Sequence, residues 1–469
     1  MHAIACFKIK GGENVKKQAI ITILTFITAV ILSGAVSAVD YTVGPDQTYT
    51  TITSAVAAST TGDTITVNPN NGNPYIETVN VDHTLNLVAN GEVTVQKVNS
   101  AGSVFNVHSD GSGTTIQGFT ITKTDAAMPD AGISLNSVNN CHILDNKIIG
   151  FATGIDIVAS DNNIISGNTI TSGPNSGGYS YGIDNYGSSP QASSNNQIIY
   201  NTIAPQASGT GNAIAVALFS GMNNQIIGNS IKPTTTGTGN TIGVILDYNG
   251  NVAHFNQIIA TTAFRLQGEC TIDALYNWYG SNNGPTLSQL PDAAYTYYNP
   301  WLIMIVSASP TTLYTGGISN VYADFTHDST YDPNNPAASY HDPSLGHFPD
   351  NVGVYITSTG GEVGSLFNTV YTINGIATAF FRATLGPGTG AAAGSLDSQD
   401  PLSVSITVLP APIVSAAGSS VVSAASNTVG MQTTGIPLFG VVLALIMVLG
   451  GLVMPSRNQN PIFFFIETF

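Results

Sequence analysis

The chain has few charged residues and very few basic ones. Only 8% of its 469 residues are charged, with 11 Lys and Arg against 27 Asp and Glu. Four of the lysines precede residue 18, so the rest of the chain is more acidic still. A protein that neutralises a run of phosphates needs clustered cations. The composition therefore excludes nucleic acid as a partner, and the negative field favours cations over anionic polymers.

Cysteine is also scarce, and motifs of nucleophilic catalysis are missing. The three cysteines are Cys6, Cys141 and Cys270, and the first lies in a segment that we expect to be removed. The remaining two are far apart in sequence, which excludes a disulfide scaffold and predicts free thiols. The one Gly-x-Ser-x-Gly match, GYSYG at residues 178–182, lies in a Gly- and Tyr-rich stretch rather than at a strand-to-helix elbow, and no Ser, His and Asp set stands in a plausible context. We therefore expect no serine nucleophile.

Long hydrophobic runs occur only near the two ends. At the N-terminus four lysines precede an apolar run over residues 19–32, which is followed by small residues up to Ala38. This pattern predicts a signal peptide over 1–38, with an uncleaved anchor as the alternative. Near the C-terminus, residues 436–454 are uncharged and would form a helix of about 28 Å, close to the hydrocarbon thickness of about 30 Å.

These two runs predict an exported protein that crosses the cell membrane once. The uncharged segment 410–435, rich in Ser and Ala, is expected to be a flexible stalk, and 455–469 a cytoplasmic tail. Arg457 is the only cation near the span and agrees with that orientation. The bulk of the chain would then lie outside the cell. The alternative is that 436–454 is a buried core helix.

The middle of the chain repeats the pattern Ile-x-x-Asn-x-Ile. An Asn-Asn pair precedes each full copy, and the pattern Asn recurs at intervals of 22, 33 and 28 residues. Decayed copies are assigned to Ile116/Phe119/Ile121 and to Ile258/Thr261/Ala263. The Asn residues of the four full copies are Asn146, Asn168, Asn201 and Asn229.

Each repeat holds two or three strands that are too short to fold alone, so the repeats must stack. Stacking in parallel predicts a β-helix of about eight coils between residues 62 and 280. An amphipathic helix over 50–59 would cap its first coil, and the whole domain is assigned to 39–300. The pattern asparagines are expected to adopt the left-handed conformation at the corners and to bond to each other as a structural ladder.

Residues 301–409 lose the Asn pattern and alternate like short antiparallel strands. Six or seven such strands in this length predict an immunoglobulin-like β-sandwich, without the cysteine pair of antibody domains. The fold class is therefore all-β: a right-handed parallel β-helix, then an Ig-like β-sandwich, then one C-terminal transmembrane helix.

The repeats and the chain's opening resemble the right-handed β-helix proteins of the pectin-lyase-like superfamily. The resemblance is carried by YTVGPDQTYTTITSAVAASTTGDTITV and by the Asn-Asn-x-Ile-Ile-x-Asn-x-Ile coils. Within that superfamily the chain most resembles the NosD-type and archaeal adhesin-like branches. The segment NWYGSNNGP, followed by an Ig-like region and a C-terminal span, is similar to the layout of archaeal adhesin-like surface proteins. The resemblance implies the fold. It leaves activity open, because such repeats serve lyases, hydrolases, epimerases, copper-accessory proteins and adhesion rods.

Asp156 and Asp184 are the candidate catalytic residues if the chain is an enzyme. Both follow Gly-Ile in consecutive copies, so they should lie about 5 Å apart on one outer face. That spacing suits a retaining carboxylate pair or a Ca clamp. The alternative is a pair of solvated outward residues, since the next coil offers Ala215 in place of a third acid. Arg265 is the one arginine of the helix and is expected to make a structural ion pair.

Other candidate residues are histidines and tyrosines. His327, His341 and His347 share a polar loop that could bind Ca or Zn for stability, although we expect no metal or cofactor. Four further histidines are expected to be isolated: His83, His108, His142 and His254. Three tyrosines of one insertion are the candidate binding patch, with simple loop packing as the alternative: Tyr179, Tyr181 and Tyr186.

The leading functional hypothesis is a membrane-anchored, adhesin-like protein that binds cell-surface glycans or proteins without catalysis. Polar ladders can hydrogen-bond to sugars, and tyrosine rings can stack on them. The first alternative is a polysaccharide lyase or glycoside hydrolase that uses Asp156 and Asp184. The second is a copper-accessory protein of the NosD type.

Overall fold

The computed structural model describes residues 38–97, 102–124, 131–175, 177–185, 192–359, 362–363 and 368–412. The predicted signal peptide, stalk, membrane span and tail lie entirely or almost entirely outside these residues. No helix in the described ranges is long and apolar enough to cross a membrane.

Most of the chain winds into stacked coils whose strands pair in parallel. Ile155, for example, lies opposite Ile133 of the coil before and Ile183 of the coil after. One sheet of this column has eight strands, which agrees with the expected number of coils, and the parallel β-helix is confirmed. The eight strands are Val79–His83, Phe105–Asp110, Ala131–Asn136, Thr153–Val158, Ser180–Asn185, Ala213–Leu218, Thr241–Leu246 and Thr262–Leu266.

A 17-stranded sheet forms the other sides of the column, with two short strands from most coils. A separate pair joins Gln206–Ala207 to Thr234–Thr235. The 17 strands are Asp40–Val43, Thr64–Val67, Tyr75–Ile76, Asn86–Lys97, Thr115–Lys123, His142–Leu144, Lys147–Ile149, Ile164–Ser166, Thr169–Thr171, Gln197–Ile199, Thr202–Ile203, Gln225–Ile227, Ser230–Ile231, Val252–His254, Gln257–Ile258, Ile272–Asp273 and Thr296–Tyr297.

The repeat isoleucines fill the column's core. In each strand the isoleucine points inward while its neighbours point to solvent, and five successive copies stack in register with no exposed surface. Burying one such side chain stabilises a fold by about 1.5–3 kcal/mol. This row consists of Ile116, Ile143, Ile165, Ile198 and Ile226.

The expected cap helix is present as Ile52–Ala58. Thr51 caps its N-terminus by accepting a hydrogen bond from the Ser54 backbone N–H, and the Glu77 carboxylate accepts the first two helical N–H groups at 2.8 Å each. The helix buries its apolar face over the first coil. Three short 3-10 helices complete the helical content of the described residues: Ala293–Tyr295, Pro336–Ser339 and Pro343–Leu345.

The pattern asparagines form a buried ladder. The Nδ2 of Asn146, Asn168 and Asn201 each donates to the Oδ1 of the next asparagine at 3.0–3.1 Å. The ladder continues beyond Asn229 through Asn256 and Asn277. The decayed copy at Ile258 was therefore misassigned: Ile258 is the last position of its pattern, because it pairs with Ile231 and follows Asn256.

The left-handed conformation belongs to the residue before each ladder asparagine, which corrects the sequence-based expectation. At Asn201, for example, the preceding Tyr200 has φ 55°. The asparagine itself keeps ordinary backbone angles so that its amide can point into the column. The left-handed residues of the six corners are Asp145, Gly167, Tyr200, Gly228, Phe255 and Tyr276.

The Asn-Asn pairs supply a second buried ladder. Asn163, Asn196 and Asn224 each donate to the next asparagine, and the series ends at Asn251. The residue before each of these three donors is a left-handed asparagine. In the first copy this slot holds Cys141, whose backbone N–H donates to Asn163. Cys141 and Cys270 are both buried and free.

After the column the chain forms nine strands that are antiparallel except for one pair. Their inward residues, together with Phe255 and Trp278 of the column, form a second hydrophobic core. The Ig-like assignment of this region stays a prediction. Its strands are Leu302–Ser309, Thr312–Tyr314, Ile318–Asp328, Gly353–Thr359, Glu362–Val363, Thr369–Ile373, Ile376–Arg382, Gly388–Ser395 and Leu402–Leu409.

A buried carboxylate joins this region to the column. Asp397 accepts hydrogen bonds from the Trp278 indole N–H at 2.8 Å and the Gln257 amide at 2.7 Å, and it pairs with Lys232 at 3.1 Å. Since the Trp278 ring also lies in the second core, the NWYG segment seals the last coil and docks the next domain at once.

Candidate functional site

The candidate site lies on the outer face of the eight-stranded sheet. The strand register aligns one outward residue from each successive coil in a single row. The row consists of Asn80, Asn106, Ser134, Asp156 and Asp184. Asp156 and Asp184 are direct partners, as their shared slot in the repeat indicates. Successive coils are about 4.8 Å apart, so the polar side chains of this row are direct neighbours.

Strand alternation and two glycines place the carboxylates there. Ile155 and Ile183 are buried inside the column, so the aspartates that follow them point outward. At Gly154 an added Cβ would lie 2.3 Å from the Ile170 side chain and 2.5 Å from the backbone oxygen of Gly182. The Gly-Ile-Asp motif is therefore a packing requirement that also fixes the direction of the acid.

The two carboxyl groups share a cavity of about 340 Å³. Tyr181, Asn175 and Thr153 line it with them. Tyr181 is half-buried and packs against a small apolar cluster on the same face of the sheet. The cavity thus has a charged floor and an aromatic wall.

Burial makes both acids reluctant to ionise. It raises the pKa of Asp156 to about 6, against hydrogen bonds from the Ile157 backbone and Ser134 that lower it. Burial, together with the neighbouring charge of Asp156, raises the pKa of Asp184 to about 7. Among the hydrogen bonds of the described residues, none reaches the buried Oδ1 of Asp184.

This arrangement can both donate and accept protons near neutral pH. When one acid is protonated and the other ionised, the pair presents a hydroxyl donor beside carboxylate acceptors. A Ca clamp fits less well, because Ca takes six to eight oxygen ligands. No cluster of three or more His, Cys, Asp or Glu in the described ranges could hold a metal ion.

The row of outward residues becomes apolar immediately after Asp184, and its register differs from the one expected from the sequence. Ala217 lies opposite Asp184, and not Ala215 as the GIDI and AIAV alignment indicated. Ala215 belongs to the main core, whereas Ala217 lies in the small apolar cluster on the outer face, so the alignment gave the correct residue type at the wrong position and on the wrong face. Beyond it come Ile245 and then Arg265, three coils from the pair.

The tyrosine patch is placed only in part. Tyr181 lines the cavity and Tyr179 is 40% exposed beside it, while Tyr186 lies outside the described residues. Burial raises the pKa of Tyr181, and the negative charge of Asp184 contributes to the same shift. Tyr181 is thus the tyrosine that can contact a ligand held by the two acids.

The loop histidines are not brought together as a metal site. His341 pairs with Asp328 at 2.9 Å, His327 lies 3.7 Å from Asp324, and His347 bonds to the Phe348 backbone oxygen. Two of them contact the column instead, whereas His327 contacts Tyr331 and Tyr340 of its own domain. His347 stacks on Tyr200, and His341 packs on Tyr276.

Two of the histidines that were expected to be isolated have partners. His254 Nε2 lies 2.8 Å from Asp273 Oδ1, and His83 belongs to a set of side chains that sequence reasoning missed. His83 is not isolated: it contacts its neighbour Asp82 and also Ser59, and all three line a second cavity. Ser59 and His83 are 24 residues apart, which is about one coil. Aligning every polar residue at the coil period, rather than only Asn and Ile, would have revealed the set.

Comparison with known proteins adds information on the fold. No family model matches the chain, and no curated protein matches its sequence. Its structure is similar to pectin methylesterase from Aspergillus niger, at 16% identity and TM-score 0.39, over 55% of this chain and 89% of that one. It is also similar to a tailspike protein of an Acinetobacter baumannii bacteriophage, a capsular polysaccharide depolymerase, at 8% identity and TM-score 0.33, over 75% and 74% of the two chains.

A pectate lyase is similar at 14% identity and TM-score 0.25, over 56% of this chain and 86% of that one. All three are parallel β-helix proteins, the architecture that strand pairing shows for this chain. At these scores the similarity carries no argument about chemistry. The function has to be argued from the chain's own residues.

Proposed function

We propose that this chain is an exported, adhesin-like protein that binds glycans at the cavity of Asp156 and Asp184. The carboxyl pair, set beside Tyr181 on the outer face of the column, is the observation that carries the proposal. The N-terminal signal peptide and the single span at 436–454 belong to the proposal, with the binding face outside the cell.

The chemistry of the cavity matches a neutral sugar. Sugar hydroxyls both donate and accept hydrogen bonds, and the Asp156 and Asp184 pair offers both partners when it holds one proton. The Tyr181 ring can pack against the apolar face of a sugar. The chain's formal net charge of −16 disfavours polymers that carry many carboxylates.

Binding by the full-length protein to immobilised neutral and uronic-acid polysaccharides tests this proposal. We expect a neutral polysaccharide to bind, and Tyr181→Ala to weaken that binding about tenfold because a stacking contact is worth about 1–1.5 kcal/mol. The exposed Tyr314 provides a matched control, and Tyr314→Ala should bind normally. Equal binding by the Tyr181 variant would place the glycan elsewhere on the chain.

The raised pKa values favour a second candidate function, glycoside hydrolysis at the same two acids. A hydrolase needs one carboxyl group protonated and one ionised near its working pH. The values of about 6 and 7 meet that condition. A lyase is favoured less, since Arg265, the arginine of this column, lies three coils away.

If hydrolysis occurs, reducing ends should accumulate fastest between about pH 6 and 7, where the pair holds one proton. Asp184→Asn should lower turnover at least about 1,000-fold, because the chemistry needs both acids. Retained binding with no turnover by the wild-type chain would leave adhesion as the function. Turnover that survives Asp184→Asn would show that the enzyme site is not this pair.

A further inference from the structure

Three side chains at the N-terminal end of the column form a hydrogen-bonded relay. The Ser59 hydroxyl lies 3.1 Å from His83 Nε2, and His83 Nδ1 lies 2.8 Å from Asp82 Oδ1. Ser59 follows the cap helix, whereas Asp82 and His83 end the first strand of the eight-stranded sheet. The His83 side chain is 19% exposed, so its imidazole is held between its two partners.

The order of these contacts fixes how the imidazole is used. The Asp82 carboxylate requires a proton on Nδ1, and this hydrogen bond lowers the pKa of Asp82. In a neutral His83 the lone pair is then on Nε2, facing Ser59. The Ser59 hydroxyl also lies 2.8 Å from the Val56 backbone oxygen, so its hydrogen can rotate between that oxygen and the imidazole.

The relay opens on a cavity that can admit a small substrate. The cavity measures about 350 Å³, and Ser59, Asp82, His83, Asn80 and Thr53 line it. The Asn80 side-chain oxygen accepts from Asn106 at 3.0 Å, which leaves its Nδ2 as the donor end. A nucleophile, a base, a group that orients the base and a donor for developing negative charge therefore share one space.

We propose that Ser59, His83 and Asp82 form a second active site, which hydrolyses small acyl esters. Ser59 Oγ attacks the ester carbonyl while His83 Nε2 takes the hydroxyl proton, and Asp82 stabilises the resulting imidazolium. Asn80 Nδ2 donates to the oxyanion. Collapse breaks the ester C–O bond, and the alcohol leaves with the proton from His83.

Water completes the cycle. It attacks the acyl-Ser59 carbonyl and gives a proton to His83 Nε2. Collapse then breaks the bond between the acyl carbon and Ser59 Oγ, which takes that proton back from His83, and the carboxylic acid is released. One ester and one water thus yield one alcohol and one acid, without any other co-reactant. Asp82 is 66% exposed, so solvent screens its charge and we expect a smaller rate enhancement than a buried triad gives.

The position of the relay indicates an O-acylated polysaccharide as the substrate class. Asn80 lies in the same row of outward residues as Asp156. It is three coils earlier, which is about 14 Å along the face. An extended glycan held at the two acids could reach the relay with an acyl group on another sugar. This last step rests on the proposed function, whereas ester hydrolysis itself does not.

The test measures hydrolysis of p-nitrophenyl acetate by the full-length protein, together with labelling by a serine-directed fluorophosphonate. We expect the probe to modify Ser59, as read by peptide mass spectrometry. Ser59→Ala and His83→Gln should lower hydrolysis at least about 100-fold, and Asn80→Ala about tenfold. Asp82→Asn changes an exposed residue that cannot unfold the column, and it should also lower the rate at least about tenfold.

Controls separate this site from the carboxyl pair. Ser288→Ala alters an exposed serine far along the chain and should hydrolyse the ester like wild type. Ester hydrolysis without polysaccharide binding, or polysaccharide binding without ester hydrolysis, would leave one proposal standing while the other fails. Absence of label at Ser59, or a wild-type rate in Ser59→Ala or Asp82→Asn, would overturn the proposal.

Discussion

Replacing Asn201 with alanine is expected to destabilise the chain by about 3–5 kcal/mol. Asn201 is 1% exposed, and its Oδ1 accepts from both the backbone and the side-chain amide of Asn168. Its Nδ2 donates to the Ile165 backbone oxygen and to the Asn229 side chain. Alanine would leave several buried polar groups without partners, each costing about 1–3 kcal/mol.

The midpoint of denaturant unfolding, followed by the circular dichroism of the β-sheet, measures this loss. Asn283 is exposed on a turn, and Asn283→Ala should change stability by less than about 0.5 kcal/mol. Comparable midpoints for the two variants would mean that the ladder follows from the fold and does not hold it together.

The ladder and the core were predictable because one repeat constrains both. A coil needs an apolar side chain inside and a polar corner that satisfies the backbone, and Ile143 with Asn146 meets both needs within four residues. Repetition then removes the uncertainty that a single short strand would carry. The same reasoning placed Asp156 opposite Asp184.

Features that depend on register or on contacts between domains were less accessible. Insertions between coils shift the alignment, and because both candidates are alanines the sequence could not distinguish the core residue Ala215 from Ala217, the actual partner of Asp184. The neighbouring sequence does not predict that Tyr200 adopts the left-handed conformation at its corner. Its ring stacks on His347, which belongs to the following domain, and that contact cannot be read from the repeat. The relay at Ser59 joins a serine, a histidine and an aspartate, none of which recurs at a fixed position of the repeat. A search for repeated residues therefore does not find it.

The acid pair should cost the fold stability at alkaline pH, and Asp184→Asn should recover it. The folded-state pKa of Asp184 is about 7, above the value of about 3.9 for an unfolded aspartate. The folded chain therefore binds this proton more tightly. Its stabilising contribution is complete below about pH 4 and is lost as pH rises towards 7. At pH 8 the asparagine variant should be more stable than wild type by on the order of 2 kcal/mol.

Denaturant unfolding at pH 4 and pH 8 checks the sign. The stability difference between Asp184→Asn and wild type should be small at pH 4 and large at pH 8, whereas Asp46→Asn, on an exposed turn, should match wild type at both. A variant that is less stable at pH 8 would mean that the ionised carboxylate supports the fold. A more stable variant would instead identify Asp184 as a group that the column accommodates at a cost, as expected of a residue retained for binding or chemistry.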